Sequence, residues 1–150
     1  MQYNIRFLVE EINKTFNLLE PIYEIGSFLV DGQEDLANLR PIFAGKSYTG
    51  CDIRMGKGVD KIEDVLHLSM PDKSVGTVLI LETLEHVKNP FVALKEIYRV
   101  LKEEGIVVAS SVMDHEIHEF PNDYWRFTPE GFKLLFSDFQ NKIIISQGDE

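Results

Sequence analysis

Gly76-Thr-Val-Leu-Ile-Leu81 runs directly into Glu82-Thr-Leu-Glu-His-Val-Lys-Asn-Pro90, and the reading of this junction decides the fold. The first segment carries no charge and follows the turn Pro71-Asp-Lys-Ser74. Such a continuous apolar run predicts a strand buried on both faces, as a parallel sheet requires. Asn89-Pro90 supplies an N-cap and a first-turn proline. Leu94, Ile97, Tyr98 and Leu101 fall on one face of the helix that follows, and Gly105 stands where a C-terminal glycine is expected. Ile106–Val112 predicts the next buried strand, so the segment reads as a strand–helix–strand crossover.

The same pattern extends in both directions. Ile5, Leu8, Val9, Ile12, Phe16 and Leu19 recur at helical spacing, which predicts a helix over residues 4–19, stopped by Pro21 and packed on the sheet. Ile22–Gly26, Ser47–Ile53 and Lys61–Val65 predict three short strands. Thr128-Pro129-Glu130 repeats the cap-plus-proline start for a helix through Phe136, and Lys142–Ser146 predicts a last strand. Strands alternating with helices imply a doubly wound, mostly parallel α/β sheet. Residues 1–150 are expected to form one domain.

Composition narrows the function. The formal charge is −10, with 25 acidic residues against 15 scattered basic ones. Nucleic acids are met by clustered Lys and Arg, so a nucleic-acid acceptor is disfavoured and a small molecule or saccharide is expected. No segment has the length of apolar residues that a membrane span needs, and the N-terminus has no signal-peptide core, so a cytoplasmic protein is expected. Cys51 is the single cysteine, which leaves no internal disulfide or cysteine-based zinc cluster.

In open α/β sheets, ligands bind outside the carboxyl ends of the strands, where the strand order reverses. Five segments lie there: Gly26–Gly32, Asp52-Ile53, Asp64-Val65, Glu82–His86 and Met113–Phe127. Gly26 either lets a backbone approach a ligand closely or is a plain strand-turn glycine, and no complete dinucleotide-type glycine motif is present. Asp52 is placed either to accept the two hydroxyls of a ribose or to cap a turn. Asp64 reads either an adenine amino group or solvent. His115, Glu116 and His118 with His86 and Glu85 could also be read as metal ligands, but their spacing matches no strong metal motif, so no metal is expected. Tyr124, Trp125 and Phe127 either stack on an acceptor or plug the loop over the sheet. Arg126 either pairs with Asp123 or clamps an anionic group.

These residues resemble a known family. Glu24-Ile-Gly-Ser27, Gly50-Cys-Asp-Ile-Arg54 with Gly56 and Gly58-Val-Asp60, Glu82-Thr-Leu-Glu-His-Val87, Tyr98-Arg-Val-Leu-Lys102 and Pro121–Gly131 are similar to class I S-adenosylmethionine-dependent methyltransferases. The likeness spans Glu24 to about Phe139 and looks closest to a bacterial subgroup often found beside glycosyltransferases. The resemblance implies the Rossmann-like methyltransferase fold, S-adenosylmethionine as cofactor and methyl transfer as the reaction. It implies that Glu24 and Gly26 line the methionine part, with Glu24 near its ammonium group, and that Ser27 and Gly32 also belong to the cofactor site. Asp52 would hold the ribose, Ile53 would pack on adenine, and Asp64 and Val65 would read the adenine edge. Glu82, Glu85 and the segment to His86 would lie beneath the sulfonium. Tyr124, Trp125 and Arg126 would meet the acceptor, with His118 as general base and His86 as second choice.

The chain departs from the family pattern at three places. Ser27-Phe-Leu-Val-Asp31 is bulky where relatives are small, Gly76 replaces an aspartate, and the chain stops at Gln147-Gly-Asp-Glu150, where a closing hairpin is expected. Either the chain is truncated, without the final antiparallel strand, or it closes its sheet differently; an open sheet edge predicts a homodimer or a loosened C-terminal third. Two rival readings remain: a non-catalytic binding or assembly module on the same fold, and a nucleotide-sugar or nicotinamide enzyme.

Overall fold

The computed structural model describes residues 3–118 and 122–146. Helix α1 (Tyr3–Thr15) precedes strand β1 (Ile22–Ile25), the short helix α2 (Glu34–Ala37) and a 3-10 turn at Arg40–Phe43. Strands β2 (Tyr48–Asp52), β3 (Lys61–Ile62) and β4 (Val75–Leu81) follow. Then come a 3-10 turn at Leu84–His86, helix α3 (Pro90–Val100), strand β5 (Leu101–Ser110) and helix α4 (Pro129–Leu135). The sheet order is β3-β2-β1-β4-β5, and these five strands pair in parallel throughout. The chain winds outward from β1 in one direction and returns to β4 for the other, so the order reverses between β1 and β4.

Every residue of β4 is buried, as its uncharged run requires. Its alternate side chains serve two cores. Val78 and Ile80 pack with Leu94 and Ile97 of α3 and Leu135 of α4. Leu79 and Leu81 pack with Ile5 and Val9 of α1 and with Leu39 and Phe43 beyond β1. Helical cover on both faces makes the sheet doubly wound.

Four boundaries differ from expectation. α1 ends at Thr15 because the chain turns to bury Leu18 in the second core. β3 stops at Ile62, since the buried Glu63 carboxylate accepts from Lys61 Nζ at 2.5 Å and from Ser69 N at 2.9 Å, which bends the chain. Gly105 is not a helix terminus: α3 passes at Leu101 straight into β5, whose register jumps from Val75↔Leu101 to Thr77↔Ile106. A Cβ on Gly105 would lie 2.8 Å from the Leu101 side chain and 3.1 Å from the Gly76 carbonyl, so this irregular stretch needs a glycine. Finally, Lys142–Ser146 forms no strand, and Ile143 and Ile145 are exposed. An isoleucine run signals β-propensity only, whereas pairing needs a neighbour that these residues do not meet. The expected hairpin turn at Gln147–Glu150 lies outside the described residues.

The glycine at 76 has a structural reason. A Cβ there would sit 2.3 Å from the Leu19 carbonyl oxygen, and Gly76 N donates to Pro21 at 3.0 Å. The segment before β1 crosses at a point where no side chain fits.

Candidate active site at the carboxyl edge of the sheet

The turns after β1 and β4 interlock at the point of reversal. Gly26 has φ +85°, and the N–H groups of Gly26 and Ser27 both donate to the Cys51 carbonyl, at 2.8 and 3.0 Å. A Cβ on Gly26 would lie 2.1 Å from Thr83 Oγ1. That hydroxyl donates to the Leu81 carbonyl at 2.9 Å, and the intervening Glu82 is held at φ +45°. Strain of this kind in a non-glycine residue concentrates at functional sites.

The bulky loop after Gly26 is accommodated by glycines about thirty residues downstream. The Phe28 ring lies where a Cβ on Gly56 would approach to 2.2 Å, and the Arg54 guanidinium covers the ring at 4.0 Å. Ser27 Oγ donates to Gly58 O at 3.0 Å, Leu29 N donates to Lys57 O at 2.9 Å, and Lys57 pairs with Asp31. Arg40 joins the same latch through Gly58 O and Asp60. The clustering of Gly50, Gly56 and Gly58 was the available sequence signal for this packing. Gly32 stands apart: it is exposed, nothing surrounds its Cβ position, and its φ of +84° serves a turn.

The acidic residues differ in surroundings. Asp52 is partly exposed at the end of β2, and its carboxylate accepts only long main-chain contacts, from Phe28 N at 3.4 Å and Arg54 N at 3.2 Å. Ile53 beside it is 59% exposed. Glu24 is buried within β1 and accepts from the Tyr48 hydroxyl. Burial pushes its carboxyl up to about 8, the nearby Arg40 opposing and Asp52 adding to the shift. Asp64 accepts from Leu66 N at 2.9 Å and shapes a turn, while Val65 is buried in the first core.

The segment after β5 folds back over β4. Tyr124 N and Trp125 N both donate to Glu85 O, and Trp125 Nε1 donates to Val87 O at 2.9 Å. Trp125 stacks on Phe127, yet Tyr124 and Trp125 stay 47% and 39% exposed, so these rings both plug the loop and leave faces available. Arg126 is the strap of the segment: it pairs with both oxygens of Asp123 and donates to the carbonyls of His115 and Glu116. That guanidinium holds the Asp123 carboxyl well below the ordinary carboxylate range. Of the two roles open to Arg126, the ion pair is the one formed.

The three histidines of this edge meet. The His118 ring lies 4.9 Å from that of His86 and 4.7 Å from that of His115. His86 Nδ1 is 2.6 Å from Asn122 O and His118 Nδ1 is 3.0 Å from Glu116 O. Beneath them, Glu85 is fully buried and takes a hydrogen bond from Ser111 Oγ at 2.6 Å, and burial raises its carboxyl above the ordinary range. Its Oε1 has no hydrogen-bond partner in the described structure. An unsatisfied buried acceptor costs about 1–3 kcal/mol. No residue spacing foretells the Ser111 contact.

Residues 43–109 match the methyltransferase-domain family model. Over that stretch, which runs from just before β2 to near the end of β5, the chain is similar to a methyltransferase domain. The fold is similar to that of an S-adenosylmethionine-dependent methyltransferase from Aquifex aeolicus, at 17% identity and TM-score 0.61, over 86% of this chain and 77% of that one. It is also similar to one from Archaeoglobus fulgidus, at 21% identity and TM-score 0.63, over 89% and 67% of the two chains. A chain in the complex of the Haloferax volcanii Trm112 methyltransferase activator with its methyltransferase aligns at 16% identity and TM-score 0.64, over 91% and 67%. No curated protein matches the sequence.

The neighbours from Aquifex aeolicus and Archaeoglobus fulgidus are S-adenosylmethionine-dependent, and the carboxyl edge of this sheet presents exposed groups of the kind an adenosine would meet. Asp52 presents two acceptor oxygens with weak main-chain partners beside the exposed apolar face of Ile53. Gly26, Asp52 and Leu81 lie at one level of the sheet, through the register Ile25↔Cys51 and Ile25↔Ile80. Ser27, Val65 and Glu85 are buried by contrast, so side-chain contact with a ligand would fall to Asp52, Ile53, Asp64 and Glu82.

Proposed function

We propose that this protein methylates a hydroxyl group of a small molecule or saccharide at the carboxyl edge of β4 and β5. The observation that carries this reading is the meeting of His86 and His118 beside the partly exposed rings of Tyr124 and Trp125. When bound, the cofactor supplies a methyl group already activated on a sulfonium. The chain's residues then have three tasks. Asp52 accepts the ribose hydroxyls and Ile53 packs on the adenine, which fixes the donor. Tyr124 and Trp125 stack on the acceptor and exclude water. His118, its Nδ1 turned to the Glu116 carbonyl, offers Nε2 to the acceptor's proton, and His86 braces it. Alignment of the acceptor with the methyl group supplies the remaining acceleration.

The charge of −10 supports an acceptor other than a nucleic acid. No helix among the described residues is long and apolar enough to cross a membrane. The test is transfer of a radiolabelled methyl group to a panel of sugars, phenols, glycan intermediates and RNA. Label on a hydroxyl compound, reduced ~10²–10⁴-fold by His118→Ala, is expected. Label on RNA, or a fully active His118→Ala enzyme, would overturn the assignment.

A further inference from the structure

We infer that Glu85, His86 and His118 form a binding site for a divalent transition-metal ion of the zinc type. One ligand atom from each of these residues lies within 4.8 Å of the other two. Sequence spacing hides the group: Glu85 and His86 are adjacent in the 3-10 turn after β4, while His118 arrives from the segment after β5. The fold alone brings them together.

Two independent features point to a cation, and a third follows from them. The first is the buried Glu85 carboxyl, whose Oε1 has no partner while Oε2 is held by Ser111. A buried carboxyl either stays protonated or meets a positive charge, and Arg126, the nearby guanidinium, is committed to Asp123 and the carbonyls beside it. The second is the orientation of the imidazoles. His86 and His118 each direct Nδ1 at a main-chain carbonyl, of Asn122 and Glu116 respectively. A proton on Nδ1 leaves the lone pair on Nε2, the arrangement by which a protein fixes a metal-binding histidine. The third is that each of the three ligands thereby has its own supporting hydrogen bond, from Ser111, Asn122 and Glu116, as ligands of a built metal site do.

The donor set selects the ion. Two imidazoles and one carboxylate suit zinc and its first-row neighbours, whereas magnesium and calcium prefer oxygen donors. Three protein ligands leave a fourth position for water or an acceptor oxygen, the pattern of a catalytic rather than a structural zinc. Ligands of a tetrahedral zinc with bonds of ~2.0–2.1 Å lie roughly 3.3 Å apart. Binding therefore draws His118 inward on its segment. An ion here would take over the task assigned above to the His118 lone pair; that clause rests on the proposed reaction, but the binding itself does not.

The test uses the whole chain, stripped with chelator and without any methyl donor. Zinc is titrated by calorimetry, and cobalt(II) is added to a second sample for visible absorption. One zinc per chain, with the cobalt spectrum of a four-coordinate site, is expected. His118→Ala and His86→Ala should each weaken binding at least tenfold with unchanged circular dichroism, and Glu85→Gln should do the same if it folds. His67→Ala, a histidine remote from the cluster, should bind like wild type. Wild-type binding no tighter than that of the His86→Ala/His118→Ala double variant would overturn the site. So would a stoichiometry that falls with His67→Ala. Methylation activity enters neither result, so failure here leaves the proposed reaction standing, and failure of that reaction leaves the metal site standing.

Discussion

Gly26→Ala should be the most damaging single methyl group that can be added at this edge. An alanine at φ +85° adopts a backbone conformation costing roughly 1–2 kcal/mol. Its Cβ would sit 2.1 Å from Thr83 Oγ1 and 2.9 Å from Thr83 Cγ2, so the threonine must move. Overpacking of this kind costs about 1–3 kcal/mol, and losing the Thr83 hydroxyl contact to Leu81 O costs about 1 kcal/mol more. The sum, about 3–6 kcal/mol, is a large share of the ~5–15 kcal/mol that holds a domain together. The cause can be isolated with Thr83→Ala, which removes Oγ1 and Cγ2 and leaves only the Thr83 Cβ, at 3.1 Å. In that background Gly26→Ala should cost only its backbone part, giving a coupling of about 2–4 kcal/mol. Urea unfolding, followed by circular dichroism and by the single tryptophan, Trp125, measures all four proteins. Costs that add within about 0.5 kcal/mol, or a Gly26→Ala protein as stable as wild type, would refute the interlock.

Glu24 is expected to make stability fall as pH rises. Its folded carboxyl titrates at about 8 while the unfolded one titrates near 4.5, so the unfolded chain loses its proton first across that window. The stability difference between wild type and Glu24→Gln should shift against wild type by up to ~1.4 kcal/mol per pH unit between about pH 5 and 8, and a flat difference would contradict the burial. Arg126→Ala removes the strap on Asp123 and on the carbonyls of His115 and Glu116, so limited proteolysis should cut within residues 113–118 faster than in wild type. Unchanged cleavage would show that the aromatic anchors hold the segment alone. Gly56→Ala should displace Phe28, whose ring a Cβ would meet at 2.2 Å, and so weaken binding of S-adenosylhomocysteine; an unaltered affinity would separate this loop from the cofactor site.

Much of the fold was legible because β4 and the Asn89-Pro90 start of α3 carry strong local signals: a strand buried on both faces has no polar face, and a capped helix announces its first turn. The boundary at Gly105 was not legible. Its requirement comes from Leu101 and Gly76, which is a contact between strands and not a helix terminus. Lys142–Ser146 failed for the opposite reason, since isoleucines report propensity while pairing is decided by neighbours. At the site, Asp52 and Gly26 could be placed from strand ends alone. The accommodation of Phe28 by Gly56, the Ser111 contact to Glu85 and the approach of His118 to His86 depend on segments far apart in sequence. Spacing is silent on such encounters.

The central claim, that the carboxyl edge of β1 and β2 holds an adenosine-containing cofactor through Asp52, is tested most directly by calorimetric titration with S-adenosylhomocysteine. Wild type should bind one equivalent with micromolar affinity, about −8 kcal/mol, with NAD as a silent control. Asp52→Ala should bind at least tenfold more weakly, a loss of about 1.4 kcal/mol or more, with its fold intact by circular dichroism. No heat with wild type, or equal affinities for wild type and Asp52→Ala, would contradict the account.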